Sequence, residues 1–457
     1  MKSGINRLNR QIIATAFVVM ALILPTIGTL WWAWTLNRPG HVRDVEVRLS
    51  QMLGMQVGLE AVRYPRPGEM VLLHPVFRQE EPRGKIFREV ARARYMVIRQ
   101  EAGQIFVEAS QMALQADNAE SAMARLGRIL QKSPAADSPD TRLNFSVDTC
   151  SLQFEESAGR KPVASHWRQI AGWVENRPDQ AVLRTSGYTG LAEKPSRCEL
   201  NLTRRRQGEK ATTYIELATM EGPPLDARIL EPLIDSPGWL GEKSLVQGRL
   251  KLTQTEDAPW QADFSGIIEN IDLARTVTGR FGPHRLSATG KMSLTKAVWG
   301  DRPGQGSGWR ELQGDLTAGS GIVSHGLLLS MGQQMKFRIL PEWIRESKPG
   351  ETIEFSAIGL QFHLTEDGLI QFNGACGPDF GRDVVATSVI KSRPRAIVAA
   401  PDSVVTVRGL IKTLFPVDLA QAEFLVPSTR QSQAVQRYLP MPADRPGSPE
   451  LLPASHQ

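Results

Sequence analysis

Seven histidines and three cysteines are the residues best suited to metal or nucleophilic chemistry, and their spacing argues against both. His74, His166, His284, His325 and His363 never pair at the spacing of a metal site, so each reads as a surface or turn residue. Cys150, Cys198 and Cys376 lie far apart with no C-x-x-C step. One disulfide at most is available and a structural zinc site is not expected; the three read as small apolar strand residues. The carboxylate pairs Glu80–Glu81 and Glu155–Glu156 are sequence neighbours that face opposite ways in a strand. Gly304, Gly306 and Gly308 make a G-x-G-x-G, but it follows Pro303 in a polar loop and opens no helix, so it reads as a linker. H-E-x-x-H, G-x-S-x-G and the Walker pattern are absent. The expectation is a protein that is not an enzyme and uses no metal or cofactor.

Charge gives a second exclusion. Fifty-four Lys and Arg against 48 Asp and Glu leave a net charge of +6, but the excess is scattered over 457 residues. Nucleic-acid readers gather charge on one face, often interleaved with aromatics, and five Tyr spread over the chain offer no such platform. No nucleic-acid partner is expected, and the triple run Arg204, Arg205 and Arg206 reads as a solvated surface loop. With 39 Gly and 30 Pro, the composition points to turn-rich β structure rather than a helical bundle.

The strongest single signal lies near the N-terminus. Residues Ile12 to Leu36 carry no charge, and as a helix this run is about 38 Å long, enough to cross a hydrocarbon core of about 30 Å. Trp31, Trp32 and Trp34 close it. Indoles settle at the headgroup level, so these three mark the membrane interface at the end of a retained anchor (11–36) rather than a cleavage site. Lys2, Arg7 and Arg10 before the span are matched by Arg38, Arg43 and Arg48 after it. The α-amino group adds one charge to the first side, which places residues 1–10 in the cytoplasm and the body on the far side of a single-pass anchor.

Beyond the anchor the pattern predicts a mainly β body. Val45, Leu49, Met52 and Leu53 share a helical face that Gly54 ends in a left-handed cap. Met55 to Ala61 then alternates as a strand, Pro65 to Gly68 turns the chain, Met70 to Phe77 returns it, and Tyr95–Arg99 with Gln104–Ala109 makes a further hairpin around Ala102 and Gly103. This defines an N-terminal region over 43–132, ending in a short helical passage from 117 to 131 and a Ser/Pro-rich linker at 133–140. Over 141–426 period-two alternation returns, most regularly in Val246–Leu252, Phe264–Gly266, Leu286–Leu294, Leu312–Leu316, Ile353–Ala357, Leu360–Leu364 and Phe372–Cys376. Pro223–Gly238 and Ile271–Phe281 read as short helical interruptions, and the Pro-rich tail 427–457 as disordered. An apolar face repeated on so many hairpins must be hidden by a second layer, by closure or by a ligand, and the sequence offers few amphipathic helices for a second layer. The predicted fold is a long curved antiparallel sheet, a groove or half-barrel, with a few short helices.

Two stretches carry a resemblance. The anchor, its following helix and LGMQVGLEAVRYPRPGEMVLLHPVF (Leu53 to Phe77) resemble the start of AsmA-like superfamily proteins, the group that includes TamB and its relatives. FSGIIENIDLARTVTGRF (Phe264 to Phe281), with Leu286–Trp299 and Leu312–Ser324 after it, is similar to the C-terminal AsmA-like repeat, in which a strand runs into an Asp-Leu pair, here Asp272 and Leu273. The repeat spans about 245–376. The resemblance implies an inner-membrane anchor and a periplasmic body built as a taco-like β-groove whose lining carries acyl chains. It also implies phospholipid movement or outer membrane biogenesis as the setting, without catalytic residues.

The expected partners are then the inner membrane, a phospholipid or other acyl-chain lipid, and envelope proteins. Leu250, Leu252, Phe264, Met292, Leu294, Phe355, Phe362 and Phe372 are the candidate groove lining. The alternative is a structural envelope scaffold that binds proteins and packs its apolar face dry. An anchored hydrolase ranks last, since no constellation supports it.

Overall fold

The computed structural model describes residues 7–36, 38–80, 87–101, 103–116, 142–154, 163–189, 195–207, 210–227, 240–255, 258–278, 281, 284–302, 306–342, 344, 350–390, 392–415 and 439–440. The chain divides into two compact units, Met1–Gln115 and Ala116–Gln457. The helical passage expected at 117–131 and the linker at 133–140 lie outside the described residues, as does all of the tail 427–457 except Leu439 and Pro440.

In the first unit, helix α1 (Arg7–Val18), a π-helical turn (Val19–Ile23) and helix α2 (Leu24–Leu36) form the apolar run, which is long and apolar enough to cross a membrane. The π turn stands just before Pro25, whose ring removes the N–H that a regular helix would bond four residues back. Helix α3 (Pro39–Leu53) starts on Pro39 and ends at Gly54, which sits at φ 68° and ψ 26° as the left-handed cap that its position predicts.

Eight short strands follow: β1 (Gln56–Gly58), β2 (Ala61–Arg66), β3 (Glu69–Leu73), β4 (Val76–Glu80), β5 (Phe87–Arg92), β6 (Tyr95–Glu101), β7 (Gln104–Ser110) and β8 (Met112–Ala116). They pair in the orders β2–β3–β6–β7 and β1–β4–β5–β8. Consecutive pieces are thus the halves of four kinked strands in one meander, stitched at the kink by His74 N–H to Arg94 O, Ala93 N–H to Pro75 O and Arg94 N–H to Ser110 O. The first turn is tighter than the Pro65–Gly68 expectation, because β2 continues through Arg66 and only Pro67 and Gly68 lie between the strands.

Val57, Phe77 and Ala91 form the core, with Leu49 of α3 against it. Helix α3 also closes the free edge of this sheet. The Val57 N–H donates to Ser50 Oγ at 2.9 Å and the Leu59 N–H to Glu46 Oε1 at 2.7 Å, so outward-pointing backbone donors that would invite another strand are already used.

The second unit is one antiparallel sheet with additions at one end. Its strands are β9 (Arg142–Phe154), β10 (Val163–Asn176), β11 (Gln180–Thr189), β12 (Ser196–Gln207), β13 (Lys210–Glu221), β14 (Leu225–Asp226), β15 (Leu245–Thr255), β16 (Gln261–Asp272), β17 (Leu286–Ser287), β18 (Thr289–Arg302), β19 (Gly306–Ala318), β20 (Gly321–Ser324), β21 (Arg338–Ile339), β22 (Thr352–Phe355), β23 (Ala357–Leu364), β24 (Leu369–Gly374), β25 (Val384–Ile390), β26 (Arg393–Ala399) and β27 (Val405–Thr406). The main order is β9–β10–β11–β12–β13–β15–β16–β18–β19–β23–β24. β17, β20 and β22 make a separate three-stranded sheet.

Helices α4 (His325–Met335) and α5 (Val407–Leu414) lie at the C-terminal end. Gly409 permits their contact, since a Cβ there would stand 2.7 Å from the Gln334 carbonyl oxygen. Val323, Leu327, Leu328, Ile344, Ile353, Ile397, Val407 and Ile411 are among the buried residues of a closed core there, and Leu439 packs on it.

The fold is mainly β with few helices, as expected, and several local readings change. Arg204, Arg205 and Arg206 are not a loop but the end of β12. Leu225 and Asp226, within the stretch read as a short helix, form β14, and 228–239 lie outside the described residues. The Ile271–Phe281 interruption is a π-helical turn (Ala274–Thr278) whose first N–H groups, Ala274 at 3.0 Å and Arg275 at 3.2 Å, donate to Asp272 Oδ1.

Candidate functional site

The sheet of the second unit has two chemically different faces, and the register shows how they arise. Residues paired across antiparallel strands share a face, so a row of partners traces one side of the sheet. One row runs Leu143, Val174, Leu183, Leu202, Ile215, Leu252, Ala262, Trp299, Trp309. The next row on the same face includes Leu200, Leu217, Leu250, Phe264, Ala297, Leu312, Leu364 and Ile370. A third carries Gly248, Gly266, Leu294, Gly314, Phe362 and Phe372.

On the opposite face the same strands carry ion pairs: Arg249–Glu216 at 3.0 Å, Lys291–Glu269 at 2.8 Å and Lys296–Glu311 at 2.7 Å. One side is dressed for water and the other is apolar along these rows. The glycines of the third row have a steric role. A Cβ on Gly266 would overlap the Gln247 carbonyl oxygen and stand 2.7 Å from Gly248 Cα, and the Phe264 ring lies across the space the two glycines leave.

All eight lining candidates fall on apolar clusters of the second unit, but not on one. Leu252 is buried and Leu250 half-buried beside Ala181, Leu183, Leu202 and Ile215. Leu294 is buried among Val246, Ile268 and Ala297, with Phe264 and Met292 half-buried against them. Phe355 and Phe372 belong instead to the core that α4 and α5 close, at 3% and 8% exposure, and half-buried Phe362 touches both this core and the Leu294 cluster. Phe355 is on β22, outside the main sheet, while Phe372 pairs with Phe362 at the end of the third row, so the covered core and the apolar face meet at Phe362. The two helices responsible were not read from the sequence. HGLLLSMGQQM carries two internal glycines that weaken its signal, whereas VRGLIKTL spaces Val407, Leu410, Ile411 and Leu414 at the helical period, a signal that was present in the sequence.

Trp31 and Trp34 project from α2 with 66% and 56% of their surface exposed. Trp32 lies in the same helix. The Arg38 guanidinium stacks over the Trp34 ring at 3.9 Å, a pairing suited to the level of lipid headgroups.

Among the described residues no set of three or more His, Cys, Asp or Glu could hold a metal ion. Cys150 and Cys198 are buried free thiols whose pKa values burial pushes up to about 11 and about 12, so both stay protonated and inert.

His284 and His325 are core residues, each 1% exposed, rather than surface or turn positions. His284 Nε2 lies 2.7 Å from the Thr413 carbonyl oxygen in the last turn of α5 and donates to it. Burial holds the His284 pKa below its ordinary value, and the bond to Thr413 opposes this in part. The unfolded chain therefore binds a proton that the folded chain refuses. Stability is full above the ordinary histidine value and declines as pH falls through about 6.5 toward the lower folded value, at up to about 1.4 kcal/mol per pH unit for one proton. Thermal midpoints measured from pH 8 to pH 5 will show this decline, and His284→Gln will lower the midpoint at pH 8 while flattening the profile below pH 6.5.

Scanned against models of known protein families the chain matches none, and no curated protein matches it.

Proposed function

We propose that this is a membrane-anchored envelope protein of the AsmA-like kind, whose body binds or transfers acyl-chain lipids without catalysis. The supporting observation is the apolar face of β12 through β19. Its rows continue across strand after strand, and Leu250, Phe264, Met292, Trp299 and Trp309 on it are half-buried rather than enclosed. The cluster around Leu202 and Ile215 draws no residue from any described helix. A hydrocarbon face of this extent is stabilised by curling over an apolar ligand, and acyl chains match it in length and chemistry. The apolar helix α1–α2 would hold the body beside its lipid source, in the inner membrane with the body in the periplasm.

The test releases the folded body from its anchor. With a protease site placed between residues 37 and 38, body folded in the cell is cut free, purified without detergent and analysed by native and lipid mass spectrometry. Phospholipid bound in stoichiometric amount is expected. A folded body that comes out empty and takes up no added lipid would remove the proposal.

A second reading, a scaffold that packs dry, is favoured by one observation: the closed C-terminal core in which Ile344 and Ile397 are fully enclosed. An empty body that pulls down the same envelope protein with and without its apolar-face residues would support it instead.

A further inference from the structure

The C-terminal core is joined by a segment from farther along the chain. The chain leaves α5 at Phe415, whose ring packs on that core and meets Phe281 edge-on at 5.0 Å, and it returns to the same core at Leu439 and Pro440. Residues 416–438, between these two points, lie outside the described residues. Pro440 is less than 2% exposed, and Leu439 is half-buried against the cluster. Proline is mostly a surface residue, so the full burial of one from a Pro-rich tail marks a specific contact.

The contact has the properties of a docked peptide. Neither residue belongs to a helix or strand, and neither makes a backbone hydrogen bond to another described residue. Among the described residues, side-chain packing alone holds them. Leu439 lies against the cluster and not within it; the fully enclosed members Ile344, Ile397 and Val407 come from other parts of the chain. The proline also restricts Leu439 to extended backbone, so the pair reaches its site with little conformational freedom left to lose, as peptides recognised through their prolines do.

We infer that the C-terminal core carries a docking site for an extended Leu-Pro segment, that the chain's own tail fills it in cis at Leu439–Pro440, and that a partner protein presenting such a segment binds there by displacing the tail. The seated dipeptide defines the chemistry of the occupant: one branched aliphatic side chain followed by a proline ring, with no charge. The tail is then a built-in competitor. A flexible tether supplies an effective concentration of about 1 mM, which weakens a partner peptide of about 100 μM affinity by about tenfold. The inference stands apart from the lipid and scaffold readings, since it uses neither the apolar face nor the anchor.

The experiment uses the full chain in detergent micelles with a protease site placed between residues 427 and 428, so the tail is detached from a folded protein without any substitution in the site. The probe is a fluorescent synthetic peptide of residues 435–444, and its binding is read by anisotropy. After cutting and gel filtration the chain should bind this peptide with a Kd of about 100 μM, and the uncut form of the same protein should bind it about tenfold more weakly. A peptide carrying Leu439→Asp and Pro440→Asp should lose at least about tenfold in affinity for the cut chain. Circular dichroism on both forms reports whether the body stays folded.

Equal binding to the cut and uncut chains would show that the peptide does not compete with the tail and overturns the inference. So does a folded cut chain that has released its tail and binds no peptide. A tail fragment that stays on the body and never exchanges, or a body that unfolds on cutting, makes Leu439–Pro440 a permanent part of the core and overturns it as well.

Discussion

Gly266→Val will abolish the folded second unit. The added Cβ overlaps the Gln247 carbonyl oxygen on the adjacent strand, and 2.7 Å away stands Gly248 Cα, so the obstruction is backbone and no rotamer relieves it. β15 and β16 pair through this point, with Gly248 opposite Gly266, and β18 pairs on the far side with Leu294 opposite. Relief requires the strands to part at the centre of the sheet, at a cost of several kcal/mol, about 4 or more, against a typical stability of about 5–15 kcal/mol. Loss of the thermal transition by circular dichroism, with rapid proteolysis of the body, is the expected result. Gly319→Ala is the control, because nothing lies within 4 Å of a Cβ there. A Gly266→Val chain melting within a few degrees of the parent would show that the close approach is not a feature of the folded protein.

The second large effect separates binding from folding. Leu250→Asp with Met292→Asp is expected to lower phospholipid retained by the released body by about tenfold, because each carboxylate would be buried against acyl chain without a partner. The body should still fold, since both side chains are half-buried on the face and a charge there can turn toward water in the empty state. Ile397→Asp supplies the contrast: Ile397 is fully enclosed in the C-terminal core, and a carboxylate there should unfold that end by about 3–5 kcal/mol. Lipid content and thermal midpoint measured on the same preparations distinguish the cases. If the Leu250 and Met292 pair unfolds as Ile397→Asp does, the face is ordinary core and the scaffold reading gains.

The two experiments address different sides of one arrangement. The close backbone approach at Gly248 and Gly266 concerns how the sheet is built, and the half-buried rows concern what it is built for.

Local signals with a strict physical period were legible from residue types alone. The uncharged run ending in Trp31, Trp32 and Trp34, the cap at Gly54 and the hairpin at Gly103 depend on near neighbours, and the structure has a helix, a left-handed cap and a tight turn there. β10 was not legible, because a bulge between Arg168 and Ala171, with Gln169 at φ 50°, breaks the alternation that would have revealed it. The arginines of 204–206 looked like a loop because three charges in a row obscure an alternation in which only the first and third face inward. The burial of His284 was invisible for a related reason, since its partner Thr413 lies on α5, distant in sequence, whereas His325 opens α4, a helix not read from the sequence.

The sequence by itself determined that a membrane-length apolar helix precedes a β-rich body and that many of its strands carry one apolar face, since these follow from hydropathy and period over a few residues. Only the tertiary structure decided which of those faces share a surface. Register is a matter of pairing between segments tens of residues apart, and it set Leu250 beside Phe264, enclosed Phe355 and Phe372 under helices, and brought Arg204 into line with Thr213 and Gln254 at the end of the apolar rows.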